Sequence, residues 1–122
     1  KERNNLLERY KFLLSDLPVS LLDKPENVYS SFHLAIVRIN EKNASLHKRV
    51  FQNLRKKGIG VQLHYFPVHL QPFYIKFGFK IGDFPNAEDY AKNAITIPLY
   101  PGLKRKQQEY VVKSLKESLF NL

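Results

Sequence analysis

The sequence predicts a small α/β or α+β sandwich with a three- or four-stranded sheet and helices mainly on one face. The chain has 122 residues, about one domain's worth, which excludes a two-domain enzyme. Hydrophobic residues make up 43% and aromatic residues 13%, enough for a packed interior. Apolar residues recur at helical spacing in some segments and follow a strand-like pattern in others, which indicates a mixed fold.

The first half of the chain predicts two helices and a strand. Residues 4–14 place leucines at helical spacing opposite charged residues, and residues 16–31 have a loop composition. Residues 32–39 are apolar on both alternations and rich in β-branched side chains, so we expect a strand covered on both sides and central or nearly so. A second helix begins with Ser45 as its N-cap and ends, after a basic last turn, at Gly58.

The middle of the chain predicts a strand followed by a long excursion. Residues 59–65 alternate, which places Gln62 and His64 on the polar side of the strand. If this strand were parallel to the preceding one, a right-handed crossover would join them. Residues 66–85 are rich in aromatic residues, Pro and Gly, which favours an ordered segment held by aromatic packing.

The last third predicts a helix, a strand and a helix. Asn86 is the expected cap of a short helix over residues 86–93. Residues 94–98 suit a short strand, and residues 105–120 carry an apolar face at helical spacing.

The charge and the residue composition of the chain exclude several classes of function. The net charge of +9 suits polyanions, phosphate ligands or an acidic partner. The absence of Cys excludes disulfides, cysteine-ligated metals and thiol nucleophiles. No long apolar run or export signal is present, so we expect no membrane span and a cytoplasmic protein. Because the chain contains no Met, we expect a piece of something longer.

Two of the four histidines, His64 and His69, lie close together in a segment of functional composition. No third ligand stands at matching spacing, which argues against a zinc site. The two histidines are either hydrogen-bonded groups beside aromatic neighbours or the polar wall of a pocket. With Tyr65 and Tyr74 they would supply donors and acceptors suited to sugar hydroxyls and phosphates.

Two basic runs, at residues 55–57 and 104–106, raise the alternative of nucleic-acid binding. The first run complements a helix C-terminus, and the second precedes a helix without interleaved aromatic residues. Solvated helix ends therefore explain both runs better. A basic α/β nucleic-acid-binding module remains the alternative from another functional class.

The stretch GIGVQLHYFPVHLQPFY, residues 58–74, resembles the DegT/DnrJ/EryC1/StrS family of pyridoxal-phosphate (PLP)-dependent sugar aminotransferases. SFHL at 31–34, FPNAE at 84–88 and IPLYP at 97–101 resemble further motifs of that family, in the same order. The amino-acid sequence of residues 61–74 is most similar to that of the family branch that aminates UDP-linked 4-keto-6-deoxy-N-acetylhexosamines, as in pseudaminic acid synthesis.

The resemblance implies that residues 1–122 are one domain, the small C-terminal domain of a fold-type-I PLP aminotransferase. In that family the large domain carries the PLP-binding residues and the Schiff-base lysine. We therefore expect no catalytic, cofactor-binding or metal-binding residue here, and an inactive chain when isolated. The implied partners are its own large domain, a nucleotide sugar and, at full length, a second subunit of a homodimer. No nucleic-acid partner is expected.

The resemblance also implies a substrate-recognition role. The full-length enzyme would pass an amino group, typically from glutamate, to a 4-keto-6-deoxy nucleotide sugar for surface polysaccharide or glycan synthesis. The expected sugar-nucleotide contacts are His64, Tyr65 and His69, with Gln71 and Tyr74 behind them. A sugar dehydratase of the same family, which has histidine in place of the lysine, remains open because the deciding position lies outside these residues.

Overall fold

A computed structural model describes all 122 residues as five α-helices and one three-stranded antiparallel sheet, in agreement with the predicted fold class. A 3₁₀ turn at Val68–Leu70 lies at the start of the aromatic-rich excursion. In chain order the elements are α1 (Glu2–Leu13), β1 (Val19–Leu21), β2 (Ala35–Ile39), α2 (Ala44–Lys56), α3 (Pro72–Ile75), α4 (Pro85–Asn93), β3 (Ala94–Ile97) and α5 (Arg105–Phe120).

Strand β2 is the central strand, as its apolar pattern predicts. The order is β1-β2-β3, and Val37 pairs with Leu21 on one side and Ile95 on the other. Both pairings are antiparallel, so the sheet contains no parallel crossover. Strand β1 was missed because it is only three residues long and follows Pro18 in a segment of loop composition.

One face of the sheet and the three longest helices, α1, α2 and α5, form the hydrophobic core. Tyr10 is fully buried in it, and its hydroxyl donates a hydrogen bond to the carbonyl of Pro98 at 2.8 Å. Burial raises the pKa of this phenol, which is therefore neutral at physiological pH. The core side chains from the strands, from these helices and from Leu14 at the end of α1 are Val19, Ala35, Val37, Ile39, Ile95, Ile97, Leu7, Tyr10, Leu14, Leu46, Val50, Leu54, Val111, Leu115 and Leu119.

The predicted strand over residues 59–65 is the main correction to the fold. Only Gln62 forms a ladder contact, a single antiparallel bridge with Thr96. The alternation holds for Ile59 and Val61, which are buried, but Leu63 is 46% exposed. Alternation reports which side chains face the core, whereas a strand also needs continued backbone pairing, and this segment leaves β3 after one bridge.

Helix starts also differ from the sequence prediction. Helix α2 is capped by Asn43, whose side chain accepts from the Leu46 amide at 3.1 Å, and not by Ser45. Helix α4 begins one residue before Asn86, at Pro85, whose missing amide hydrogen suits the first helical position. No helix is long and apolar enough to cross a lipid bilayer.

Candidate functional site

The face of the sheet opposite the core positions His64. The Nδ1 atom of His64 lies 2.8 Å from the Oγ1 atom of Thr96 on β3. Thr96 is buried, and its backbone exchanges hydrogen bonds of 3.2 and 2.8 Å with Gln62. His64 is thus attached to the sheet both through its side chain and through its close chain neighbour.

Tyr65 extends this polar edge into solvent. Its ring is 70% exposed and meets the His64 ring edge-on at a centroid distance of 4.6 Å. The peptide bond between the two residues is cis. Together they present an imidazole and a phenol on one surface, a combination of donors and acceptors that suits a polyhydroxylated ligand.

His69 occupies a different environment. It is only 7% exposed, and its Nε2 atom lies 3.2 Å from the Oε2 atom of Glu88, which is equally buried. The Phe84 ring packs edge-on against it at 4.9 Å. The His69 ring therefore lies inside the excursion and contacts protein groups.

Glu88 connects the two ends of the excursion. Besides His69, its carboxylate accepts hydrogen bonds from the amides of Gly82, at 2.9 and 3.0 Å, and Phe84, at 3.2 Å. The Gly82 bond, followed by those from Phe84 and His69, lowers the pKa of Glu88 against the opposing effect of burial. Gly82 has a φ of 97°, which L side chains rarely adopt. The carboxylate is ionised at neutral pH.

Tyr74 lies beside His69, and Gln71 lies at the start of α3. Tyr74 and His69 are the polar side chains of an otherwise apolar concavity of about 380 Å³. Its lining is Val68, His69, Tyr74, Phe79, Phe84 and Ala87. Gln71 is exposed, and its carbonyl accepts from the amides of Tyr74 and Ile75 at the start of α3. The structure thus pairs His64 with Tyr65 and His69 with Tyr74, with no hydrogen bond between the two pairs.

Sequence reasoning missed three residues of this region. Glu88 sits in the FPNAE motif, where a carboxylate in the first turn of a helix that follows Pro is a detectable signal. Thr96 stands in the apolar run AITIP, which gives no signal of a functional residue. Arg38 does give one, because it interrupts the apolar pattern of β2. Arg38 lies on the same face of the sheet as Thr96, and its guanidinium is 5.7 Å from the centroid of the Tyr90 ring.

The residues of this chain do not fit a PLP site by themselves. Every lysine is exposed or half-buried, and none lies in the interior of the domain. Two of the half-buried lysines are paired with carboxylates, Lys11 with Asp23 and Lys57 with Glu117. No three His, Asp or Glu side chains converge as metal ligands.

Two of the known proteins with similar sequence or structure carry names from sugar or polysaccharide biosynthesis. The chain is 29% identical over 121 residues to the spore coat polysaccharide biosynthesis protein SpsC of Bacillus subtilis, covering 96% of this chain and 31% of that protein. It superimposes on the putative sugar aminotransferase Spr1654 of Streptococcus pneumoniae with a TM-score of 0.92 and 29% identity, over 98% of this chain and 30% of that one.

A third similarity concerns the fold alone. PseC of Helicobacter pylori, an aminotransferase involved in pseudaminic acid biosynthesis, matches with a TM-score of 0.87 at 23% identity, over 99% of this chain and 33% of PseC. The chain thus spans about three tenths of the length of the proteins it matches. The model of the DegT/DnrJ/EryC1/StrS aminotransferase family matches residues 1–116, and the chain therefore belongs to that family.

Proposed function

We propose that residues 1–122 form the C-terminal, substrate-facing domain of a PLP-dependent sugar aminotransferase. The PLP-binding large domain would belong to the remainder of a longer protein, in keeping with relatives about three times the length of this chain. PLP supplies the electron sink for amino transfer when it is bound to such a protein. The residues described here would bind and orient the sugar.

The single observation that carries this assignment is the attachment of His64 to Thr96 beside the exposed Tyr65. A histidine held at 2.8 Å by a buried hydroxyl keeps its ring orientation, which a specific sugar contact requires. Gln71, the N-cap of α3, and Tyr74 within α3 would contact the sugar nucleotide behind His64 and Tyr65. In this proposal His69 acts mainly by positioning, because Glu88 occupies its Nε2 atom.

The proposed reaction takes an amino group, typically from glutamate, and passes it to the keto carbon of a 4-keto-6-deoxy nucleotide sugar. The proposed pathway is surface polysaccharide or glycan synthesis, and the name of SpsC supports this assignment. We assign the protein to the family branch that aminates UDP-linked N-acetylhexosamines, and the amino-acid sequence of residues 61–74 supports this assignment. We propose that the enzyme is a cytoplasmic homodimer.

The test uses the full-length protein that contains these residues. Incubated with PLP, glutamate and a UDP-linked 4-keto-6-deoxy-N-acetylhexosamine, it should yield a nucleotide sugar that has gained an amino group, detected by mass spectrometry. Isotopic nitrogen from labelled glutamate should appear in the product. A product that loses water and gains no nitrogen would identify a dehydratase instead. Histidine at the position of the Schiff-base lysine would support the same correction.

A further inference from the structure

Arg38 is distinguished from the other half-buried arginines by its lack of a side-chain partner. Four arginines are half-buried: Arg3, Arg9, Arg38 and Arg49. Three of them donate hydrogen bonds to defined acceptors, namely the Phe32 carbonyl, the Glu109 carboxylate and the Leu119 carbonyl. The guanidinium of Arg38 forms neither a hydrogen bond nor an ion pair with any residue of the chain, although it lies on the central strand of the sheet.

The Arg38 side chain nevertheless has a defined aromatic neighbour. Its strand pairs on both sides, and the guanidinium carbon lies 5.7 Å from the centroid of the Tyr90 ring on α4, a cation–π distance. A cation–π contact uses the charge of the group and none of its N–H donors, so these donors remain available. A guanidinium whose donors are unpaired can bind an oxyanion with two parallel hydrogen bonds.

The space beside Arg38 is a polar recess of about 200 Å³. Its lining residues are Ser20, Arg38, Ile39, Asn40, Lys42, Asp89 and Asn93. The carboxylate of Asp89 pairs with Lys42 at 3.3 Å, so it is directed to another cation. Arg38 and Lys42 together outweigh that single negative charge, which leaves the recess with a net positive charge.

We propose that Arg38 binds a phosphate group of the nucleotide sugar, an inference that rests on the proposed function. Arg38 pairs with Ala94, and Thr96 lies two residues farther along β3. Such diagonal neighbours lie about 7–8 Å apart on one face of a sheet. Arg38, which forms part of the wall of the recess, therefore lies one diagonal step across the sheet from Thr96, the residue that holds His64. A diphosphate joins sugar to nucleoside, so the two sites suit two parts of one ligand.

The experiment measures binding of inorganic pyrophosphate to the full-length, PLP-loaded protein by calorimetry at constant ionic strength. Loading with PLP occupies the phosphate site of the cofactor beforehand. Arg38→Gln should weaken pyrophosphate binding by about tenfold or more, and Arg38→Lys, which keeps the charge but loses the planar fork, by less. Asp89→Asn should tighten binding. Arg105→Gln is the control, because the exposed Arg105 side chain is likewise a cation without a hydrogen-bonded partner, and this variant should bind as the parent does.

Several outcomes would overturn the proposal. Equal affinity in Arg38→Gln and Arg105→Gln would show that charge alone attracts the anion. Tighter binding of glutamate than of pyrophosphate, with the same dependence on Arg38, would make the recess a carboxylate site. Melting temperatures confirm that each variant folds. This assay needs no turnover, so its outcome is independent of the proposed function. Pyrophosphate binding can prove independent of Arg38 while amino transfer succeeds, and amino transfer can be absent while Arg38 still binds pyrophosphate.

Discussion

The imidazole of His69 and the carboxylate of Glu88 form a buried pair, with Nε2 and Oε2 3.2 Å apart, that joins the start of the aromatic excursion to its end. The same carboxylate accepts the amides of Gly82 and Phe84. One side chain thus links two segments that no backbone ladder joins. We expect the order of the excursion to depend on this link.

Glu88→Gln should loosen residues 66–85 while leaving the sheet intact. The neutral side-chain amide of this variant can accept fewer hydrogen bonds than the carboxylate, and none of them is charge-assisted, so the amides of Gly82 and Phe84 lose their best acceptor. Hydrogen exchange should become faster in the excursion and stay unchanged in β2 and α5. The matched control is Glu109→Gln, which removes an exposed carboxylate paired with Arg9. Equal exchange in the two variants would contradict the role given to Glu88.

The pH dependence of stability should reflect the lowered pKa of Glu88. The folded state holds this pKa below its ordinary value of 4.5, chiefly through the Gly82 amide. The stabilisation is therefore complete above that ordinary value and is lost as the pH falls through the folded pKa. Urea unfolding between about pH 6 and pH 3 should show a steeper loss for the parent than for Glu88→Gln. Parallel curves for the two proteins would remove Glu88 as the cause.

His64→Ala in the full-length enzyme should raise KM for the nucleotide sugar or lower kcat/KM by roughly one to three powers of ten, about 1.4 to 4 kcal/mol. The half-reaction with the amino donor should change little. His47→Ala is the control. The Nε2 atom of His47, on α2, lies 2.9 Å from the carbonyl oxygen of Ala94 on β3, the strand that also carries Thr96. It should lower the melting temperature without changing sugar kinetics. Similar kinetic losses in both variants would assign the effect of His64 to β3 as a whole.

The isolated 122-residue chain should form no specific covalent adduct with PLP. Its lysines are exposed or half-buried, and the half-buried Lys11 and Lys57 are paired with carboxylates. Borohydride reduction followed by peptide mapping should find scattered, substoichiometric modification. A stoichiometric adduct at one lysine would contradict this expectation.

The isolated chain should self-associate through the aromatic excursion. Phe66, Phe73 and Phe77 are each more than half exposed, with values of 57%, 58% and 65%, on a continuous segment. Large exposed apolar patches favour association. Light scattering should show a lower apparent mass for the double variant Phe73→Ser and Phe77→Ser than for the parent. Phe12→Ser, which removes a 78% exposed ring from α1, should not change the mass.

The long helices were the most predictable part of the fold, whereas the four-residue α3 was not predicted. The bounds of α5 match the predicted residues 105–120, and α2 ends at Lys56, two residues before the predicted Gly58, with Asn43 in place of Ser45 as its N-cap. Helical periodicity is a local property, fixed by side chains three and four residues apart, so the sequence displays it directly. The central position of β2 was equally predictable because apolar residues stand on both of its faces, with Arg38 as the single polar residue of the strand.

The environment of each candidate site residue was decided by tertiary structure. His64 and His69 look alike in the sequence, yet one bonds to Thr96, 32 residues away, and the other to Glu88, 19 residues away. The lack of a partner for the Arg38 side chain depends likewise on which strands and helices surround it. The residue types, the local periodicities and, through the motifs, the family can be recognised in the unfolded chain. Which polar groups are paired, buried or free depends on contacts between distant segments, and these exist only once the chain has folded.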